Sequence, residues 1–151
     1  MSAGEAFWAW ALAAYDREGV ADACLALQDD HGQQTAYLLW AAWAGPDPAM
    51  MARGAALARR WEAEALAPIR AARRAMKAGF DHIDDAARLA LREEVKAVEL
   101  GAERLLMASL AALAAGDGPG ADAEARITAA AAAWGDPPPR SAVLRLSEPL
   151  A

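Results

Sequence analysis

The sequence predicts an all-α protein, and three observations lead to that class. Alanine, the strongest helix former, accounts for 45 of the 151 residues. The β-branched residues that strands favour are scarce, with four Val, three Ile and two Thr in the chain. Large apolar residues recur at intervals of three and four, which is the spacing of one helix face. We therefore expect a single orthogonal bundle of about six helices.

The first three helices are expected within residues 3–44. A glycine follows each of them, at Gly19, Gly32 and Gly45, and glycine readily adopts the left-handed backbone that ends a helix. The predicted ranges are 3–17, 20–31 and 33–44. The third range is apolar nearly all round, which predicts that this helix lies at the centre of the bundle.

Prolines delimit the next two helical segments. Asp47 followed by Pro48 is a capping acceptor before a first-turn proline, so a helix is expected to begin there. Pro68 predicts a break, a kink or a fresh start after Ala67. The segment that follows, over residues 69–78, is expected to turn Leu66, Ile69, Met76 and Phe80 inward.

A long spine helix is expected over about 82–115, with Asp81 as its cap. Leu91, Val95, Val98, Ala102 and Leu105 follow the 4, 3, 4, 3 spacing of one helix face, which predicts that they point into the core. A rod of about 33 residues is about 50 Å long, so we expect a bend or a protruding end.

The C-terminal part of the chain is predicted to differ in character from the rest. A glycine-rich linker over 116–120 leads to a last helix over 122–134, which closes a helical domain of residues 1–134. Residues 135–151 include three consecutive prolines at 137–139 and are expected to form a flexible, irregular tail. Within that tail, residues 142–146 are the one strand-like stretch.

Charge and cysteine content favour some settings over others. The net charge of −6 disfavours binding to nucleic acid or to an anionic membrane. The single Cys24 cannot form an internal disulfide, which is typical of a reducing compartment. No basic residue precedes the first apolar stretch, as a secretory signal requires, and the longest apolar run has nine residues, against about 20 for a membrane span. We expect a cytoplasmic protein.

Catalytic, cofactor and metal motifs are not found. One Cys and two His do not supply the four ligands that zinc usually takes in a structural site. The G-x-G-x-G pattern at 116–120 follows a helix rather than a strand, and Pro119 lacks the amide that a phosphate would need. Cys24 lies on an apolar helix face and is interpreted as a core residue. We therefore predict no catalytic residue, no cofactor and no metal.

One basic cluster stands out as a candidate binding site. Residues 53–80 carry a charge of +5 and residues 81–103 carry −4, so the two segments suit each other. Within them, Arg70, Arg73, Arg74 and Lys77 lie near one helix face, and Glu99 and Glu103 lie one turn apart. In one interpretation the basic face forms salt bridges with the two glutamates. In the other, some arginines stay free to hold an anionic ligand or an acidic partner helix.

Two residues at the end of the second helix complete the candidate site. His31 lies at a helix end beside two aspartates, and Gln28 precedes it by one turn. A histidine in this position is either a favourable helix-end cation or a titrating group in a pocket.

The chain is similar to a small bacterial all-helical family, a domain of unknown function, over roughly residues 7–113. The pattern that carries the resemblance is Cys-Leu-x-Leu-Gln-Asp, then Leu-Leu-x-x-x-Trp, Arg-x-x-Arg-Arg and Glu-Leu-x-Ala-Glu. In this chain it corresponds to residues 24–29, 38–43, 70–74 and 99–103. The resemblance implies an all-helical fold and a cytoplasmic bacterial setting, and it implies no activity.

These observations lead to two expected functions. The first is a non-enzymatic adaptor or regulatory module that binds another protein, with the proline-led tail as a docking segment. The second is a small anionic-ligand-binding protein or weak enzyme that uses Arg70 and Arg74 with Gln28 and His31. Homodimerisation through the end of the long helix stays open at this point.

Overall fold

The computed structural model describes residues 1–151 and confirms the all-α class, with one long helix among the packed helices. Capping follows the chemistry of the cap residues: the side chains of Ser2, Gln34, Asp47 and Asp84 each accept a backbone N–H of the first helical turn. The helices are α1 (Ala3–Tyr15), α2 (Val20–His31), α3 (Thr35–Ala44), α4 (Pro48–Trp61), α5 (Ala67–Ala75), α6 (Asp85–Leu113), α7 (Ala123–Trp134) and α8 (Arg140–Leu150).

Helix α3 is the centre of the bundle, as its apolar sequence predicts. Every residue from Ala36 to Trp43 is buried, and α1, α2, α4, α6 and α7 all pack against this helix. The indole N–H of Trp40 donates to the carbonyl of Ala114 at 3.0 Å, so the largest core side chain leaves no unpaired donor. Gly54 lies under this ring: a Cβ there would stand 2.3 Å from Trp40 Cζ3, so α4 packs this closely only with glycine.

At Pro68, where a break, a kink or a fresh start is predicted, the chain stays helical and the helix changes type. A π-helical segment, Glu62–Leu66, joins the two helices, and the Ala67 amide donates to the Glu62 carbonyl five residues back. Because proline lacks an amide and its ring crowds the carbonyl four residues earlier, the wider π turn accommodates it without ending the helix.

The long helix is shorter and less buried than predicted. It begins at Asp85, because His82 adopts a left-handed backbone with φ of 66° and Asp84, rather than Asp81, provides the cap. Over 85–105 Arg88 is the one buried residue, whereas Leu106, Met107, Leu110 and Ala111 lie in the core. The prediction that Leu91, Val98 and Leu105 point inward is wrong: each is about half exposed.

The α5–α6 hairpin therefore extends from the bundle as a protruding end. Phe80, predicted to point inward, is likewise half exposed at the connection between the two helices. Spacing alone did not distinguish an apolar face that the chain covers itself from one that the chain leaves open.

The prediction of an irregular, flexible tail over 135–151 is wrong for residues 140–150, which form α8. Val143, Leu146 and Leu150 have helical spacing and are buried against α2 and α7. The shorter stretch 142–146 looked strand-like because it includes only part of that period. The Arg17 guanidinium also donates to the Pro149 carbonyl at 2.8 Å, which ties the end of the chain to the end of α1.

None of the helices combines the length and the apolarity that crossing a bilayer requires.

Candidate functional site

Seven segments meet around the candidate site: α1, the end of α2, the start of α3, the π-helical segment, α5, the middle of α6 and the end of α7. Gly32 ends α2 with a left-handed backbone, and the chain turns at once into α3. The Gln34 side chain caps α3 by accepting the Tyr37 amide at 2.7 Å. This tight turn places the glutamines at positions 28, 33 and 34 opposite the arginines of α5.

Two of the predicted basic residues form ion pairs inside this site. Arg70 Nη1 lies 2.8 Å from Glu62 Oε1, and its Nε lies 3.5 Å from Glu99 Oε1. Arg73 donates to both oxygens of Glu99, in the two-pronged geometry that a guanidinium and a carboxylate favour. The side chains of Arg70 and Glu99 are only 14% and 12% exposed, so water screens this network weakly. Here Arg70 and Arg73 already have carboxylate partners.

The glutamates of α6 differ in their partners. Glu99 bridges Arg70 and Arg73, whereas Glu103, one turn further on, forms no ion pair with either. Burial, and then the negative charge of Glu99, raises the pKa of the Glu103 carboxyl above its usual range, although Arg70 opposes the shift. Glu103 is thus a half-buried acid whose charge lacks a neutralising contact.

Two further acceptors in the site lack a donor. Gln33 is 3% exposed, and its amide nitrogen donates to the carbonyls of Ala131 and Asp136 at 3.4 and 3.3 Å. These bonds fix the orientation of the amide, and its Oε1 is buried with no hydrogen-bond partner. Glu62 Oε2 is buried and unpartnered in the same way. A buried polar atom without a partner is costly, so each such atom requires an explanation.

Two cavities adjoin this network, and Gln28, Gln34 and Arg70 line both of them. The polar cavity has a volume of about 320 Å³ and also contains Gln33 and Glu62 in its wall, with Arg74 and Trp134. The apolar cavity has a volume of about 260 Å³ and contains Glu103 in its wall. The side chains that give it its apolar character are Trp8, Leu12, Tyr15, Leu39, Leu100 and Met107.

Tyr15 lines the apolar cavity and is 40% exposed to solvent. Its hydroxyl faces the Cys24 thiol, and burial raises the pKa of the tyrosine well above its usual range. Burial likewise raises the pKa of the Cys24 thiol to about 11. Since the thiolate is the nucleophilic form of cysteine, this thiol is unreactive at neutral pH, in agreement with its interpretation as a core residue.

The family match covers residues 6–110, which is more than half of the chain. The chain belongs to the family described as protein of unknown function (DUF2390). Comparison with curated proteins and comparison with solved structures each find no match.

The DUF2390 match includes every ionisable residue of the site, from Glu62 to Glu103, together with the three glutamines. Helices α7 and α8 lie outside it, although the carbonyls that hold the Gln33 amide belong to Ala131 and Asp136. The part of the chain that follows the matched residues therefore orients Gln33, which lies within them.

The structure brings together some of the predicted site residues and leaves others apart. Gln28 and Arg74 line the polar cavity, and Arg74 forms no ion pair. His31 lines neither cavity, and Lys77 is exposed without an ion pair. The sequence reasoning missed Glu62, Gln33 and Gln34. One available signal was the pair of adjacent glutamines directly after the Gly32 helix end, at the start of an otherwise apolar helix.

No group of three or more His, Cys, Asp or Glu side chains lies close enough together to hold a metal ion.

Proposed function

We propose that this protein binds a small amphipathic amine, with the ammonium group in the polar cavity beside Glu62 and Gln33 and the apolar part in the apolar cavity, whose wall contains Glu103. The observation that carries the proposal is the surplus of acceptors that remains after both buried arginines are paired. Glu62 Oε2 and Gln33 Oε1 are buried without a donor, and an ammonium group supplies three donors.

The charges of the site support a cationic ligand. The inner network contains three carboxylates, Glu62, Glu99 and Glu103, against two guanidinium groups, Arg70 and Arg73. One added positive charge would balance the network, and it would also oppose the burial and the repulsion from Glu99 that raise the pKa of Glu103. A bound amine would therefore stabilise the ionised form of Glu103.

The cavities support a ligand of modest size with one apolar part. Volumes of about 260 and 320 Å³ lie at the small end of the range for ligand sites. Trp8, Leu39 and Met107 give the apolar cavity a wall that suits an alkyl chain or an aromatic ring. Gln28 and Gln34, which line both cavities, stand where the two parts of such a molecule would meet.

An anionic ligand would find only one unpaired cation in the polar cavity. Arg70 has partners, and His31 lies away from both cavities, so Arg74 is the one unpaired cation that lines the polar cavity. A carboxylate ligand would have to approach Arg74 beside Glu62 and Asp29.

Three six-carbon probes of matched shape distinguish these possibilities: hexylamine, hexanol and hexanoate. At 100 times its dissociation constant a ligand stabilises the native state by about 2.7 kcal/mol, which corresponds to a rise of roughly 5–10 °C in Tm for a chain of this size. We expect hexylamine to raise Tm clearly more than hexanol, and hexanoate to leave it unchanged. A larger shift with hexanoate, abolished in Arg74→Gln, would replace the proposal with the anionic alternative.

A second candidate function is binding of another protein, and the exposed apolar flank of the α5–α6 hairpin supports it. Phe80, Ile83 and Leu91 are about half exposed there and lie close together around one groove. The tail no longer provides a docking segment for this role, because α8 packs into the core. The expectation of a cytoplasmic location belongs with this proposal and rests on the single Cys24.

A further inference from the structure

Helix α6 carries an apolar row on the side that the rest of the chain leaves uncovered. Leu91, Val98 and Leu105 are 48%, 58% and 56% exposed, and they follow one another at intervals of seven residues. Such a repeat keeps side chains on one line of a helix, with a drift of about 20° per repeat. We call these three residues the outer row.

The surroundings of the outer row allow another helix to approach closely. The exposed residues beside it are almost all small: Ala87, Ala90, Ala97 and Gly101. A Cβ added at Gly101 would meet nothing within 4 Å, so this position is open to solvent. At Leu91 the row continues into a groove of about 410 Å³ that Met76, Phe80 and Ile83 line with apolar atoms.

The chain exposes more surface in total than a compact monomer of the same mass. The chain exposes 8162 Å² at a mass of 15.8 kDa. A folded monomer of that mass exposes roughly 7,300 Å² by the usual scaling, so the excess is roughly 850 Å². A stable protein–protein interface of standard size takes about 800 Å² from each partner. The excess matches one half of such an interface.

We propose that the outer row forms the interface of a homodimer in which two α6 helices pack antiparallel. Leu91 and Leu105 lie at equal distances along the chain from Val98. A two-fold axis beside Val98 therefore sets Leu91 of one copy against the partner's Leu105, and Val98 against the partner's Val98. Ala97 and Gly101 lie next to this axis, where the two helices approach most closely.

The charged side chains of α6 leave the outer row nearly free of charge. Glu93 pairs with Lys96, and Arg104 lies over the Trp8 ring of α1 at 4.8 Å from its centroid, so both have partners within the chain. Glu94 is the one charged side chain close to the axis, and it faces small residues of the partner that leave its carboxylate a path to water.

Sedimentation equilibrium of the full chain tests the dimer directly. We expect twice the chain mass of 15.8 kDa, and Val98→Glu should raise the dimer dissociation constant about 100-fold or more because the substitution enters the interface twice. Leu25→Glu, at a 56% exposed leucine of α2, is the matched control and should leave it unchanged. Helical circular dichroism is expected to stay unchanged in both variants, since both positions are exposed.

Disulfide crosslinking tests the antiparallel register, in which Leu91 of one copy meets the partner's Leu105. An equimolar mixture of Leu91→Cys and Leu105→Cys should form the mixed disulfide under mild oxidation, and neither variant alone should crosslink. A wild-type chain that sediments at the monomer mass up to millimolar concentration would overturn the proposal. The outer row would then be a candidate contact surface for a different protein. A dimer that tolerates Val98→Glu would overturn the assigned surface. None of the outer-row residues lines the two cavities, so these results are independent of amine binding.

Discussion

The two faces of α6 between residues 91 and 105 differ in a way that inverts the usual amphipathic pattern. The inner face carries Glu99 and Glu103, both at least half buried, whereas the outer face carries Leu91, Val98 and Leu105 in solvent. A surface helix ordinarily places its apolar residues inward and its charges outward. Each face of α6 thus lacks a partner: on the inner face Glu103 forms no ion pair, although Glu99 does, and the outer face has no apolar partner.

The C-terminal part of the same helix shows the ordinary pattern. Leu106, Met107 and Leu110 are buried against α1 and α3, and Ala112 on the other side is exposed. The inversion is therefore local to the part of α6 that extends from the bundle with α5. Both proposals place their contacts in this part of α6: the amine site on its inner face and the dimer interface on its outer face.

The largest expected effect comes from two adjacent leucines. Leu106→Ala should lower the free energy of unfolding by about 2–5 kcal/mol, because Leu106 is 2% exposed and its removal leaves a cavity in the core. Leu105→Ala, at a 56% exposed side chain, should change it by less than about 0.5 kcal/mol in the monomer. Urea denaturation at submicromolar concentration measures both. Equal losses would contradict the assignment of inner and outer faces.

A smaller effect is expected in the ion-pair network. Glu99→Gln should cost about 1–3 kcal/mol, because it removes the carboxylate that binds both Arg70 and Arg73 in a weakly screened place. Glu93→Gln removes a carboxylate whose ion pair with Lys96 is exposed to solvent, so its cost should stay below about 1 kcal/mol. Urea denaturation under the same conditions compares the two, and a larger loss for Glu93→Gln would show that the inner network contributes little.

The smallest effect is a change in how stability depends on pH. A carboxyl whose pKa is higher in the folded than in the unfolded protein binds its proton more tightly when folded, so stability falls as pH rises through that interval. Glu103→Gln removes this titration. The variant should gain stability over the wild type from the unfolded pKa of about 4.3 upward and match it at lower pH. Tm values between pH 3 and pH 8 measure the difference, and a wild type favoured at high pH would contradict the assigned environment.

Local sequence signals predicted much of this fold, because they act within a few residues. Asp47-Pro48 marked a helix start correctly, Gly32 and Gly45 marked helix ends correctly, and the apolar run in α3 predicted its central place. Gly19 does not end α1, which already ends at Tyr15; it is the N-cap of α2. The π turn before Pro68 and the helix over 140–150 were missed. Both depend on packing: the first on how α4 and α5 continue past a proline, and the second on the surface that α2 and α7 offer to Val143 and Leu146.

The candidate site was less predictable than the fold. The charge blocks correctly suggested that arginines of α5 meet Glu99, but they did not show that pairing would leave acceptors rather than cations in surplus. Glu62 contributes its carboxylate from the π-helical segment, and Gln33 is oriented by carbonyls about 100 residues away. No spacing rule along the chain connects such groups, so their convergence becomes visible only in three dimensions.

Titration calorimetry of hexylamine against two variants of the π-helical segment tests the central claim most directly. Glu62→Gln removes the buried carboxylate, whereas Glu64→Gln removes an exposed one two residues away that pairs with Arg60. A charge-assisted hydrogen bond contributes about 1.5–3 kcal/mol, so Glu62→Gln should weaken binding roughly 10-fold to 100-fold. Glu64→Gln should bind like the wild type. Equal affinities for all three proteins, or no binding by the wild type, would contradict the account.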